Sequence, residues 1–330
     1  MSQPVLVTGG AGYVGSHVCK QLALRGLEPV SYDNLTRGHR ELVKWGPLEE
    51  GDILDQSRLE AMLKRYQPAA VMHFAALAYV GESVDKPELY QRVNVEGSRS
   101  LLRAMTAAKT PKLVFSSTCS TYGNPQYSPI DERHPQRPVN PYGMTKLDIE
   151  RDMSGWAKET GGEGVIFRYF NAAGADPDGE IGEWHEPETH LIPLALAAAS
   201  GEIESLTIHG NDYDTPDGTC VRDYIHVTDL ASAHLLGLAY GPGAGRVAAF
   251  NLGNGIGYSV DEVVRAVSGV TGVDVPHQYG PRRPGDPPRL IGDASLATKV
   301  LGWKPALAEL ERIVGTAWQW YRRSSKFPSG

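Results

Sequence analysis

Apolar residues along the first 170 positions come in two alternating textures. Short runs rich in β-branched and other apolar residues occupy 4–8, 28–32, 69–74, 112–117 and 164–167, and such continuous runs read as strands buried on both faces. Between them, 13–25, 57–66, 87–108 and 141–159 carry helical spacing and are long enough to serve as right-handed crossovers between parallel strands. This alternation predicts an α/β protein whose first part, 1–170, is a doubly wound parallel sheet. From about Asn171 the pattern loosens, and glycine- and proline-punctuated stretches at 174–182 and 210–218 predict loops around a substrate. The segments 223–240 and 246–252 again read as helix and strand. The chain is therefore expected to rejoin its first domain over about 223–255, while 171–330 forms mainly a smaller α/β C-terminal substrate domain.

Composition narrows the partners. With 330 residues, 41% hydrophobic and 22% charged, the chain has an ordinary globular make-up, enough for one large domain or two joined ones. A net charge of -7 removes broad attraction to nucleic acid or to an anionic membrane surface. An anionic ligand must then be met by local cations or helix N-termini. Cys19, Cys119 and Cys220 are odd in number, far apart and in no C-x-x-C arrangement, which predicts neither disulfides nor a zinc site, and no metal is expected. The start Met1-Ser2-Gln3-Pro4-Val5 runs straight into a strand, and no apolar run reaches the ~18 residues of a membrane span. A cytoplasmic location is the expectation.

Candidate chemistry begins at Thr8-Gly9-Gly10-Ala11-Gly12-Tyr13-Val14-Gly15, where Gly9, Gly12 and Gly15 stand between a predicted strand and a predicted helix. Glycines there let backbone approach a pyrophosphate, and the helix start supplies unpaired N–H groups and the positive end of its dipole. Plain tight turns use the same residues, so the context matters. Asp33, at the end of the second strand, is placed to accept hydrogen bonds from ribose hydroxyls and to repel a 2′-phosphate, which favours NAD over NADP. Arg37 and Arg40 follow closely and read as solvated surface charge. Asp52 after Gly51 is placed either to contact the adenine or to cap a turn.

Asn140-Pro141 marks a helix start, an N-cap residue followed by proline at the first helical position. Tyr142 and Lys146 then share one face. An ammonium there can stabilise a tyrosinate and lower the phenol from its reference of ~10, and bringing it down to about 7 requires only about 4 kcal/mol. The same pair occurs on amphipathic helices with no catalytic role. It gains meaning downstream of a dinucleotide turn and of a strand ending in Ser116-Ser117-Thr118, whose last hydroxyl is aimed at a substrate oxygen.

These residues, Thr8 to Gly15, Asp33, Thr118 and Tyr142-Gly143-Met144-Thr145-Lys146, resemble the extended short-chain dehydrogenase/reductase family. Arg168-Tyr169-Phe170-Asn171, Val221-Arg222-Asp223-Tyr224-Ile225-His226-Val227, Asn251-Leu252-Gly253 and Arg283-Pro284-Gly285-Asp286 narrow the resemblance to its nucleotide-sugar 4-epimerases, over essentially the whole chain. The resemblance implies a Rossmann domain holding tightly bound NAD, a UDP-sugar substrate and a homodimer. It implies that Tyr142 is the general base and acid, Lys146 its electrostatic partner and Thr118 the second hydroxyl. It adds cofactor contacts from Tyr13, Val14, Asn34, Asp52, Ile53, Phe74, Ala75, Ala76, Asn94, Ser116 and Tyr169. On the substrate side it implies contacts from Asn171, His190, Leu191, Arg222, Tyr224, Arg283, Asp286 and Leu290.

The implied activity is reversible C4 epimerisation of a UDP-hexose through a 4-keto intermediate. A nucleotide-sugar 4,6-dehydratase begins with the same oxidation but needs a further acid and base for elimination, and Thr118 is followed by Cys119, Ser120 and Thr121 rather than by carboxylates. A non-catalytic NAD-sensing or scaffold protein is the alternative of another class, against which Thr118, Tyr142 and Lys146 speak. Two departures from the family pattern stand out. No lysine accompanies Ala78, and Leu290 stands where members restricted to unacetylated sugars often carry tyrosine, which suggests a sugar pocket roomy enough for N-acetylated UDP-hexoses.

Overall fold

A computed structural model describes residues 3–283 and 285–324; Met1, Ser2 and the Pro284 of the 283–286 motif lie outside the described residues. The main sheet takes its first six strands from the early chain: β1 (Pro4–Thr8), β2 (Glu28–Asp33), β3 (Leu48–Glu50), β4 (Ala70–His73), β5 (Lys112–Thr118) and β6 (Glu163–Tyr169). Six helices belong to the same stretch: α1 (Tyr13–Leu24), α2 (Gln56–Tyr66), α3 (Val80–Asp85), α4 (Pro87–Tyr90), α5 (Gly97–Ala108) and α6 (Pro141–Thr160). The later chain contributes β7 (Asn171–Ala173), α7 (Leu191–Ala199), β8 (Leu206–His209), β9 (Val221–His226), α8 (Val227–Ala239) and β10 (Val247–Leu252). It ends through β11 (Gly257–Ser259), α9 (Val260–Thr271), β12 (His277–Gly280), β13 (Arg289–Leu290), α10 (Ser295–Leu301) and α11 (Leu310–Arg323).

The main sheet has the order β10-β6-β5-β4-β1-β2-β3 with every pairing parallel. It is a doubly wound Rossmann sheet whose order reverses between β1 and β4, and ligands of such sheets lie in the crevice beyond the carboxyl ends at that reversal. Side chains alternate between its two faces. Leu6, Val71, Phe115 and Ile166 pack with α2, α5 and α6, whereas Val5, Val7, Met72, Val114 and Phe167 pack with α1, α8 and Trp303. Burial on both sides is why these strands read as unbroken apolar runs.

The structure differs from the expected elements in three places. β3 is a short edge strand whose Leu48-Glu49-Glu50 carries no strand signal. The helix expected over 87–108 is interrupted by a π-helical turn, Gln91–Glu96, between α4 and α5; a widened turn of this kind is frequent at functional sites. The segment expected as a helix from 223 begins instead as β9, and helix starts only at Val227, where the His226 ring accepts from the Thr228 amide. Residues 221–226 pair with β7, β11 and β13 in a second, smaller sheet, while α8 packs on the main sheet beside α1 and β10 joins that sheet against β6. A third pairing, β12 with β8, completes the second region, whose core lies among α7, α9 and α11.

Candidate active site

At the β1–α1 turn two of the three glycines, Gly9 and Gly15, are required by contact. Gly9 has a φ of +75°, and a Cβ on it would come within 2.6 Å of the Ala75 amide nitrogen; one on Gly15 would fall 2.1 Å from the Gly9 carbonyl oxygen. The turn is therefore pressed between the end of β4 and the start of α1, with Phe74 and Ala75 both donating their amides to the Thr8 carbonyl. Gly12 is the N-cap of α1, extended and without a side chain to cap the helix. The amides of Tyr13, Val14 and Gly15 in that first turn are those that a diphosphate would use.

Asp33 closes the other side of the reversal. Its two carboxylate oxygens each accept one backbone amide, from Ala11 at 3.0 Å and from Leu35 at 2.9 Å, leaving further lone pairs for two hydroxyls. Burial raises its pKa, and the two amides oppose that rise. Asn34 donates to Asp52 at 3.0 Å, and Asp52 caps its own turn through the Leu54 amide. Ile53 is buried in the core under Gly97. Arg37 is not a freely solvated charge: it spans to Glu82 at 3.0 Å and to the Glu186 carbonyl at 2.9 Å. Arg40 does pair at the surface with Glu50.

Some expected cofactor contacts have their side chains committed elsewhere. The Tyr13 hydroxyl donates to the Gly174 carbonyl at 2.5 Å. Asn94 sits in the π-helical turn, fully buried, accepting from the Leu77 amide and donating to the Leu77 carbonyl and to Thr145. It ties the loop that carries Ala75 and Ala76 to helix α6. Ser116 and Tyr169 share a 2.5 Å hydrogen bond on neighbouring strands.

The catalytic candidates converge where β5 meets α6. Asn140 caps α6 by accepting from the Gly143 amide at 2.8 Å, with Pro141 next, as expected. Tyr142 is half-buried, and Lys146, one turn on, is buried with its Nζ 5.9 Å from the Tyr142 ring centre and donating to the Ser116 carbonyl at 2.9 Å. Thr118 ends β5 in extended backbone and its hydroxyl oxygen accepts from the Ser120 amide. Burial pushes the Tyr142 phenol well above its ordinary range, with Tyr169 adding to the effect and the Thr118 hydroxyl opposing it. Burial likewise pushes the Lys146 ammonium down to about 7, with Glu150 opposing. Each charge is costly alone in this site, and phenolate beside ammonium is the arrangement in which each relieves the other.

The substrate-side candidates lie on the second sheet and its loops. Arg222 on β9 and Asp286 are brought together at 3.3 Å, and the Arg222 guanidinium also donates to the Pro287 carbonyl. Arg283 is exposed on the same loop. The Asn171 amide donates to the Asp223 carbonyl. Leu290 pairs in register with Arg222 and packs against Cys119, Tyr122, Ile130 and Phe170. Leu191 opens α7, and His190 precedes it in an ion pair with Glu183. Tyr224 is different: its ring is buried in the core of the second region.

Several residues that shape the site carry no motif. Ser83 accepts from the Tyr142 amide at 3.2 Å, and the Tyr90 ring stands edge-on to the Tyr142 ring at 6.5 Å. Glu150 lies one further turn along the face of Tyr142 and Lys146 and pairs with Arg168 at 2.6 Å, also accepting from Ser117 and Gln136. Helical spacing of i, i+4 and i+8 would have flagged Glu150; only the fold reveals Ser83 and Tyr90.

A glycine turn at the reversal of a doubly wound sheet, with a tyrosine and lysine facing a strand-end hydroxyl, defines an enzyme of the dinucleotide-dependent short-chain class. The model of the NAD dependent epimerase/dehydratase family matches residues 5–253, and the chain belongs to that family. It is 51% identical to the UDP-glucose 4-epimerase of Rhizobium meliloti (strain 1021) over 322 residues, 98% of each chain. It is 49% identical to that of Rhizobium leguminosarum bv. trifolii, over 98% of this chain and 99% of the other. The solved structure of UDP-glucose 4-epimerase from Brucella ovis in complex with NAD superposes with a TM-score of 0.93 at 51% identity, covering 96% of this chain and 98% of that one.

Proposed function

We infer that this chain catalyses the reversible C4 epimerisation of a UDP-hexose with tightly bound NAD, through a 4-keto sugar. The observation that carries it is the convergence of Tyr142, Lys146 and Thr118 in a site where Thr118 is followed by Cys119, Ser120 and Thr121 rather than by the carboxylates that elimination would use. Cys119 beside Thr118 has its thiol pushed up to about 12 by burial, and Glu150 is held by Arg168, Ser117 and Gln136. Neither can serve as the extra acid or base that a dehydratase requires.

The residues fit the cofactor. The uncapped first turn of α1, a turn that admits no Cβ at Gly9 or Gly15, and the buried Asp33 carboxylate suit a pyrophosphate and a ribose without a 2′-phosphate. When bound, NAD supplies a hydride acceptor and donor at C4. Tyr142 as phenolate takes the proton from the 4-hydroxyl and later returns it to that same oxygen, once the sugar has turned over and presents the opposite face of C4 for reduction. Lys146 holds that phenolate, its position fixed by the Ser116 carbonyl. The Thr118 hydroxyl orients the sugar oxygen. Arg222, Arg283 and Asp286 together hold the diphosphate and the uridine ribose, and Asn171 contacts the diphosphate or the sugar, so that affinity comes from the carrier and the sugar remains free to turn over. In this division the 1–170 part with α8 and β10 binds the cofactor and the remainder binds the substrate. Incubation with UDP-galactose and no added cofactor should yield UDP-glucose; protein that retains NAD yet converts no UDP-hexose would overturn the assignment.

A second feature concerns breadth of substrate. Leu290 packs with Cys119, the neighbour of Thr118, and pairs in register with Arg222; we read it as a wall of the sugar pocket, and the absence of a phenol ring there as room for an N-acetyl group. UDP-N-acetylgalactosamine in the same assay tests this. We further read the protein as a cytoplasmic homodimer. Val80, Val84, Leu89 and Met144 are exposed on the adjacent helices α3, α4 and α6, and a shared apolar face of this kind suits a second copy. A monomer mass by light scattering at micromolar concentration would refute the dimer.

A further inference from the structure

Two clusters of carboxylate and imidazole groups lie close together on the loop between β7 and α7. In the first, Asp176, Asp178 and Glu180 surround the Lys20 ammonium at 2.8, 2.7 and 2.7 Å. That cluster already has its cation. The second is Glu183, His185, Glu188 and His190, where one carboxylate oxygen or ring nitrogen from each residue lies within 4.8 Å of all the others. Here the Nδ1 of His185 is 3.2 Å from Glu183 and 3.7 Å from Glu188, the Nδ1 of His190 is 3.9 Å from Glu188, and Glu183 and His190 are in direct contact.

We propose that Glu183, His185, Glu188 and His190 form a structural binding site for a divalent metal ion of the zinc class. Zinc held at ~2.0–2.2 Å by nitrogen and oxygen ligands in a tetrahedron requires donor atoms about 3.4 Å apart, and the spacings of this cluster bracket that value. Two imidazoles with two carboxylates match the ligand preference of zinc over calcium or magnesium, which take oxygen alone. Four protein ligands close the coordination shell, so the ion would fasten structure and perform no chemistry.

What it would fasten is the loop at the mouth of the cleft. Trp184 stacks on His39 at 4.0 Å between ring centres, and the Glu186 carbonyl accepts from Arg37. The Tyr79 ring stands edge-on to His185 at 5.8 Å. The loop thus spans from the cofactor side of the cleft to α7, with His190 and Leu191 at its end. Four ligands within eight residues, from Glu183 to His190, make a compact clip that can form once this loop folds. The expectation of no metal site, drawn from the cysteines alone, overlooked this Glu-x-His-x-x-Glu-x-His spacing.

The test uses the full chain, free of any affinity tag and stripped by chelator, titrated with cobalt(II) and then with zinc. The expected result is the visible absorption of tetrahedral cobalt saturating at one ion per chain, abolished by one equivalent of zinc. Zinc should also raise Tm. His185→Gln and Glu188→Gln should each weaken cobalt binding by at least about tenfold, with circular dichroism confirming folded protein, while Asp178→Asn in the neighbouring Lys20 cluster should leave it unchanged. Absence of a tetrahedral band at one equivalent in the unaltered chain overturns the proposal, and so does undiminished binding in both ligand variants.

Discussion

Helix α6 presents two neighbouring charged groups on one face, and they are treated in opposite ways. Lys146 is buried, and among the described residues its hydrogen-bond acceptor is the Ser116 carbonyl; its ammonium is pushed down to about 7 by burial. One turn further, Glu150 is equally buried but meets the Arg168 guanidinium through three contacts, with Ser117 and Gln136 completing its shell. The lower turn spends its charges on holding β5, β6 and α6 together. The upper turn leaves the Lys146 ammonium without a carboxylate partner among the described residues, next to a phenol pushed up by burial, and that imbalance is what a reacting sugar hydroxyl can exploit.

The sharpest way to break this comparison is at the upper turn. Tyr142→Phe should lower kcat by about 10³-fold or more, equivalent to ~4 kcal/mol, while the protein still copurifies with NAD and melts near the parent temperature. Turnover within tenfold of the parent would remove the phenol from the chemistry. At the lower turn the expected loss is in stability. Glu150→Ala strands Arg168 in a buried site and should cost about 3–5 kcal/mol by denaturant titration; a loss under 1 kcal/mol would show that water or another group compensates the guanidinium.

The lysine makes an opposite prediction about pH. Its folded value of about 7 lies below the ordinary 10.5, so between those limits the unfolded chain binds more protons and stability rises with pH. Ligand-free protein should therefore gain stability from this residue between pH 7 and pH 10, and Lys146→Met should remove that gain and leave the variant more stable than the parent at pH 7. A parent and variant with parallel pH profiles would show that the ammonium is solvated or paired in the free protein. The smallest effect is expected beside Cys119, where Leu290→Tyr should lower kcat/KM for UDP-N-acetylglucosamine by roughly tenfold and change the UDP-glucose value less. Equal losses for both sugars would make the position one of general packing.

The legible parts of the site share a property. The Gly9, Gly12 and Gly15 turn, Asp33 at a strand end, and the Asn140-Pro141 start of α6 each act within one strand–turn–helix unit, so local spacing encodes them. The strands of the main sheet are legible for the same reason, being apolar on both faces. The 223–226 stretch misled because its alternation with the following apolar helix, residues 227–239, is continuous in sequence, and only pairing with β7, β11 and β13 separates strand from helix. Tyr224 and Asn94 keep their motif positions but spend their side chains on the core and on the Leu77 loop.

By itself, the sequence determined the doubly wound half, the dinucleotide turn and the catalytic helix face, because each follows from periodicity or from a steric demand among residues close along the chain. Tertiary structure alone decided which charges end up matched. Glu150 meets Arg168 across 18 residues and Arg222 meets Asp286 across 64, while Lys146 donates to the Ser116 carbonyl. Desolvation and pairing are set by what surrounds a group in space, and that surrounding is assembled from strands and loops far apart in the chain.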